Sequence, residues 1–196
     1  MTSLFIAVEG PHGVGKTTVA GLLATRLGKR TGRHVHLTSE PTHGPLGRLL
    51  RASDAVLQGR PLALAVAADR AAHVETEIIA ELDKGHHVVT DRYVQSSLVL
   101  QRLDGIDLDE VWAYNQYVLP ATSIYLEDDP EVMAGRLQQR TSRNRLEVLG
   151  GPHRELKLYR EAREFLTTED WPQYVIDCCG KDPDHIVTAI LDCLRV

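Results

Sequence analysis

Leu4-Phe-Ile-Ala-Val-Glu-Gly10-Pro-His-Gly13-Val-Gly15-Lys16-Thr17-Thr18 decides the fold of this 196-residue chain. The apolar run Leu4 to Val8 reads as a strand buried on both faces. Gly10 to Thr17 then fits G-x-x-x-x-G-K-[ST] without a mismatch. Val19, Leu22, Leu23 and Leu27 follow at the spacing of one helix face. Strand, glycine loop and helix together form the context of a phosphate-binding loop rather than of a plain glycine-rich turn. Gly10, Pro11, His12, Gly13, Val14, Gly15, Lys16, Thr17 and Thr18 are its candidate nucleotide-binding residues. Glycines there let backbone N–H groups turn inward, and the helix start adds its positive dipole end. Lys16 is expected to reach the β- and γ-phosphates, and the Thr17 hydroxyl to ligate Mg²⁺.

Outward from that stretch, strands alternate with helices. Strands are expected at 34–38, 87–91, 122–127 and 174–177, and helices at about 46–54, 61–84, 94–101, 107–117, 130–140, 155–166 and 183–194. Residues 140–152 read as a loop, because Gly150-Gly151-Pro152 closes an arginine-rich piece. The expected fold is α/β: a five-stranded parallel sheet flanked by helices as a three-layer sandwich, in one domain over residues 1–196. Ligands of such sheets sit beyond the C-terminal strand ends, where the glycine loop and Asp91 both fall.

Composition narrows the class. The 22 Lys and Arg against 27 Asp and Glu leave a net charge of −5, which implies no general affinity for nucleic acid. No apolar run is long enough to span a membrane, and the N-terminal apolar run leads into the glycine loop instead of a cleavage site. Cys178, Cys179 and Cys193 have neither disulfide nor metal spacing, and read as small buried residues of a cytoplasmic protein. The histidines are scattered, with no pair at zinc spacing backed by a third ligand.

Two further features carry chemistry. Asp91-Arg92-Tyr93 ends an apolar strand beside the expected phosphates. Asp91 can hold Mg²⁺ through water, and Arg92 can grip a second phosphate bidentately; the plainer reading is a strand-end ion pair. Arg140, Arg143 and Arg145 crowd a glycine-hinged segment. A solvated basic face is the usual reading of such a run. A lid at about 140–153 is the better one, since phosphoryl transfer needs positive charge over the equatorial oxygens.

Taken together these residues resemble the thymidylate kinase family over nearly the whole chain. The P-loop NTPase-type phosphate loop after Val8-Glu9, Glu40-Pro41 with Arg51, Ala68-Asp69-Arg70-Ala-Ala-His73 and Asp91-Arg92-Tyr93-Val-Gln-Ser96-Ser97 with Gln101 are similar to its segments. Arg136, Arg140, Arg143-Asn144-Arg145-Leu-Glu147 and Tyr159 look like its lid, in the bacterial form whose lid supplies the catalytic arginine. The resemblance implies an ATP- and Mg²⁺-dependent nucleoside-monophosphate kinase, commonly a homodimer, with dTMP as the leading acceptor. It implies that Arg92 and Arg51 hold the acceptor phosphate, that Arg70 contacts the base, and that Ser96, Ser97 and Gln101 line the base pocket. Glu40 is expected in the same substrate-binding set, and Lys16, Arg92, Arg140, Arg143 and Arg145 in the catalytic one; Thr17 and Asp91 are the expected metal ligands.

Four positions depart from the family. His12 stands where a carboxylate is usual, Ser39 where an arginine often is, Val66 where a phenylalanine stacks on thymine, and Leu100 where an aromatic disfavours a 2′-hydroxyl. These leave a ribonucleotide or a modified pyrimidine nucleotide open as acceptor. A non-catalytic ATP-binding module, a nucleoside kinase using Glu40 as base, and a simple ATPase are the competing classes. The arginine lid argues against the first, and Arg51 and Arg92 argue against the second.

Overall fold

The computed structural model describes residues 2–53, 56–141 and 144–196. Five parallel strands form one sheet: β1 (Phe5–Glu9), β2 (Val35–Ser39), β3 (His87–Asp91), β4 (Thr122–Glu127) and β5 (Gln173–Asp177), in the order β2-β3-β1-β4-β5. This is the expected α/β sandwich. The helices are α1 (Lys16–Thr31), α2 (Pro45–Ala52), α3 (Gly59–His73), α4 (Ile79–Asp83), α5 (Val94–Leu103), α6 (Leu108–Tyr114), α7 (Pro130–Gln138), α8 (Arg145–Gly150), α9 (Pro152–Thr168) and α10 (Pro183–Cys193).

Every residue of β1 is buried, as a central strand flanked by β3 and β4 requires. Its alternation divides the core. Ile6 and Val8 face Leu23 and Leu27 of α1 and Ile190 of α10. Phe5 and Ala7 face Leu98 of α5, Leu166 of α9 and Trp171. Each buried leucine of these layers is worth about 1.5–3 kcal/mol. The register sets Val8 beside Asp91, and Asp91 beside Ser39. The ends of three strands therefore meet where the glycine loop begins.

Three local expectations need correction. The segment 140–152 is not all loop: α8 lies within it, started by a capping box in which the Asn144 side chain takes the Glu147 N–H and Glu147 returns to the Asn144 N–H. The Asn-x-x-Glu spacing at 144–147 carried that signal, and the arginines around it obscured it. The helix expected over 61–84 is interrupted by a π turn at Val74–Ile78, which joins α3 to α4. Cys178 is buried, but Cys179 is exposed and Cys193 half-buried, so only the first fits the expected role. Helix α2 ends at Ala52, and the remainder of its expected span reaches Asp54, outside the described residues.

Candidate active site

The loop after β1 is wound as a phosphate cradle. Gly10, Gly13 and Gly15 all have positive φ. At Gly13 the need is doubled, since a Cβ would lie 2.7 Å from the Met133 carbonyl oxygen. Lys16 is buried, and its Nζ donates to the Gly10 and Pro11 carbonyls at 2.6 and 2.8 Å. Burial, then the charge of Arg92, lowers the Lys16 pKa to about 7. An anion in the cradle would reverse that shift. Around it lies a cavity of 210 Å³, bordered by His12, Gly13, Gly15, Lys16, Thr17, Thr18, Arg92 and Arg140.

Thr17 Oγ1 donates to Asp91 Oδ2 at 2.5 Å, so β3 meets the first turn of α1 at the cradle's floor. The other oxygen, Asp91 Oδ1, is buried without a hydrogen-bond partner. A hydroxyl and a carboxylate with an unsatisfied oxygen are the hard-oxygen donors that Mg²⁺ takes. The residues therefore fit that ion.

Arg92 follows at φ 76°, an uncommon value for a residue with a side chain. Its N–H bonds the Val8 carbonyl at 3.1 Å, and its carbonyl accepts from the Thr90 hydroxyl at 2.8 Å. These contacts aim the guanidinium so that it borders both the phosphate cavity and a second, larger one. The residue that organises this turn was missing from the sequence expectations. Glu9, fully buried, accepts from the Tyr93 N–H at 2.6 Å and from the Ser96 hydroxyl at 2.7 Å. Burial raises its pKa to about 7, against the pull of Ser96, Arg92 and Tyr93. A carboxylate closing an otherwise apolar strand was the signal available.

The second cavity, 260 Å³, is bordered by Glu40, Arg51, Arg70, Arg92, Ser96, Ser97 and Gln101 together with Leu50, Leu62, Val66, Leu100 and Leu146. It gathers every residue expected to bind the acceptor. Their polar groups differ in what they still offer. Arg70 Nε donates to Glu40 at 2.8 Å, Nη1 to Asn115 at 2.5 Å and Nη2 to the Tyr93 carbonyl at 3.1 Å, with its guanidinium 5.5 Å from the Tyr93 ring centroid. Glu40 also pairs with His73 Nδ1 at 3.0 Å, which removes it as a ready base. Arg51 folds back onto the Pro41 and Thr42 carbonyls. Gln101 Oε1, by contrast, is buried and unpartnered. Among the described residues, Tyr93 and the His12 imidazole are the aromatic rings on the cavity wall.

Of the lid arginines, Arg140 borders the phosphate cavity while pairing with Glu147 at 2.6 Å. Arg145 borders neither cavity, and its guanidinium grips Asp104 with both terminal nitrogens. Arg143 lies outside the described residues. Arg136 bonds the Gly13 carbonyl at 3.2 Å and Asp128 at 2.8 Å, bracing the loop from behind. Ligand atoms of His34, His36 and Glu81, none of which borders either cavity, come within 4.8 Å of one another, a grouping the scattered histidines did not suggest. Glu81 there already takes Lys84 and His86.

A glycine-loop cradle at the end of a parallel sheet, joined through Arg92 to a second cavity, is the arrangement of a P-loop phosphotransferase. Residues 8–169 match the family model described as thymidylate kinase. A probable thymidylate kinase from Pyrobaculum aerophilum is 35% identical over 199 residues, covering 97% of this chain and 96% of its own. Another from Methanococcus vannielii is 33% identical over 192 residues, covering 95% of this chain and 92% of its own. The crystal structure of thymidylate kinase from Ehrlichia chaffeensis shares the fold, with a TM-score of 0.73 at 22% identity, over 99% of this chain and all of that one. The chain belongs to the thymidylate kinase family of ATP-dependent nucleoside-monophosphate kinases. No helix among the described residues is long and apolar enough to cross a membrane.

Proposed function

We propose that this enzyme transfers the γ-phosphoryl group of ATP to dTMP, giving dTDP and ADP. The observation that carries the reading is Arg92, whose side chain borders both cavities and so can hold the acceptor phosphate against the donor's tail. The backbone N–H groups from Gly10 to Thr18 and Lys16 take the donor phosphates. An oxygen of the acceptor phosphate attacks the γ-phosphorus, and the bond to the β-bridging oxygen breaks, leaving ADP. That oxygen is already a nucleophile near neutral pH, since the second phosphate pKa is ~6. No general base is needed, which agrees with Glu40 being committed to Arg70 and His73. Positioning and charge supply the rate.

Thr17 and Asp91 are the residues to hold Mg²⁺, which when bound would neutralise charge building on the phosphates. Residues 140–153 act as the lid, with Arg140 bringing positive charge to the transferring group and Arg143 and Arg145 as the other candidates. Arg140's place on the phosphate cavity favours it over Arg145. Arg51 joins Arg92 on the acceptor phosphate once it leaves the Pro41 and Thr42 carbonyls. Ser97 and Gln101 read the base, and the unpartnered Gln101 amide oxygen suits an imide N–H such as thymine's. Arg70 and Ser96 hold the wall behind it. The enzyme works as one domain in the cytoplasm and as a homodimer. Leu64 of α3 and Ile79 of α4, exposed at 51% and 40%, support a subunit contact there, which light scattering on the purified protein would test.

The deciding experiment is ADP release across a panel of nucleoside monophosphates. The reading expects dTMP to lead in kcat/KM. Turnover of CMP or UMP as fast as dTMP would favour the ribonucleotide reading that Val66 and Leu100 leave open, since neither of those two positions offers the cavity a ring.

A further inference from the structure

The phosphate loop is tied to the helix behind the lid by one buried pair. Glu155, in the first turn of α9, is 1% exposed, and His12 is 4% exposed. Glu155 Oε2 accepts the His12 backbone N–H at 2.7 Å, and Oε1 lies 2.7 Å from His12 Nδ1. Gly150 leaves room for this carboxylate: a Cβ there would meet Glu155 Oε1 at 2.5 Å. Burial opposes charge on Glu155, yet the His12 bonds and Lys16 hold its pKa below the usual range. Burial, with Arg92 and Lys16, holds His12 below the usual imidazole range against the pull of Glu155. An ionised carboxylate thus faces a neutral ring, and the ring proton belongs on Nδ1. Nε2 has no hydrogen-bond partner among the described residues, and His12 borders both cavities.

We infer that Glu155 is a positioning residue of the transfer site, fixing the Nδ1–H tautomer of His12 so that Nε2 presents a lone pair at the seam between the two cavities. A lone pair there accepts from a hydroxyl of the acceptor sugar and turns away an ionised phosphate oxygen, which has no proton to give. The pair thereby helps keep each ligand's phosphates on its own side. This consequence rests on the larger cavity being the acceptor site.

Glu155→Gln separates tautomer from scaffold. Its amide oxygen can keep the His12 backbone N–H, but its NH₂ must then donate to Nδ1, moving the ring proton to Nε2. Nitrogen-15 NMR of the whole labelled protein without nucleotide, with His12 assigned through His12→Asn, reads the ring directly. Wild type should show a protonated Nδ1 and a bare Nε2, and Glu155→Gln should exchange the two. A sugar hydroxyl can accept from the variant's Nε2–H as readily as it donates to the wild-type lone pair, so the ring signals are the readout that separates the two forms. A protonated Nε2 or an imidazolium in wild type overturns the inference, as does a Glu155→Gln ring whose two nitrogens do not exchange states. If Glu155→Gln does not fold, the wild-type ring signals still decide. If wild type does not turn over dTMP, the acceptor reading fails while the ring signals still judge the tautomer.

Discussion

The two cavities are built in opposite ways. The phosphate cavity is one short stretch of chain whose donors are mostly backbone, shaped by glycines and finished by Lys16 and Arg92. The acceptor cavity is assembled from α2, α3, α5, the Glu40-Pro41 turn and the start of α8, and its arginines already bond the protein: Arg51 and Arg70 through several contacts, and Arg92 through one long bond of 3.4 Å to the Ser96 hydroxyl. A triphosphate tail is the same for every nucleotide, so a local backbone device suffices. A base and sugar must be discriminated, which takes side chains from many places. Of the positions that depart from the family's pattern, Val66 and Leu100 border only the larger cavity, while His12 lies in the glycine loop and borders both.

The comparison is broken most sharply at Lys16 and Arg92. Lys16→Ala should lower kcat by about 10³-fold or more, since it removes the charge on the transferring phosphates. Arg92→Ala should cost a similar factor in kcat/KM for the acceptor, because its side chain serves both sides. Loss of less than tenfold in steady-state assays would mean the ligands lie elsewhere. The lid arginines come next. Arg140→Ala should lower kcat by about 10²–10³-fold with little change in either KM. Arg145→Ala should act on stability through Asp104, measured as a lower Tm, with kcat within about threefold. Equal kcat losses would bring both arginines to the phosphates in the closed state.

A smaller effect separates the cavities by pH. Free Lys16 has a pKa of about 7, and bound phosphates should return it toward its ordinary 10.5. Between those values, binding takes up a proton, so ATP affinity should fall as pH rises above 7, by up to tenfold per unit. Calorimetry at pH 8 in buffers of different ionisation enthalpy should show close to one proton taken up. No uptake would contradict the buried-lysine reading. On the acceptor side, Val66→Phe adds a ring to the cavity wall and should lower KM for dTMP about fivefold. An unchanged or raised KM would place the base away from α3.

Most of the fold and the donor site was legible in the sequence because both are local: an apolar run, a glycine spacing and a helical periodicity within residues 4–27. Asp91-Arg92 was legible for the same reason, as polar residues at the tip of an apolar strand. Glu9 was overlooked because its partners Tyr93, Ser96 and Tyr159 come from 84 to 150 positions away. The His12–Glu155 pair was hidden likewise, by 143 positions. The fate of Arg70 and Arg145 was equally illegible. An arginine announces charge, but whether it faces a ligand or a carboxylate such as Glu40 or Asp104 depends on packing between distant elements.

Donor and acceptor phosphates are proposed to meet end to end at Arg92. Inhibition by adenosine and thymidine joined 5′ to 5′ through five phosphates tests it most directly. This compound should compete with both ATP and dTMP, since it would fill both cavities at once. Competition with ATP alone, with dTMP unaffected, would contradict that arrangement.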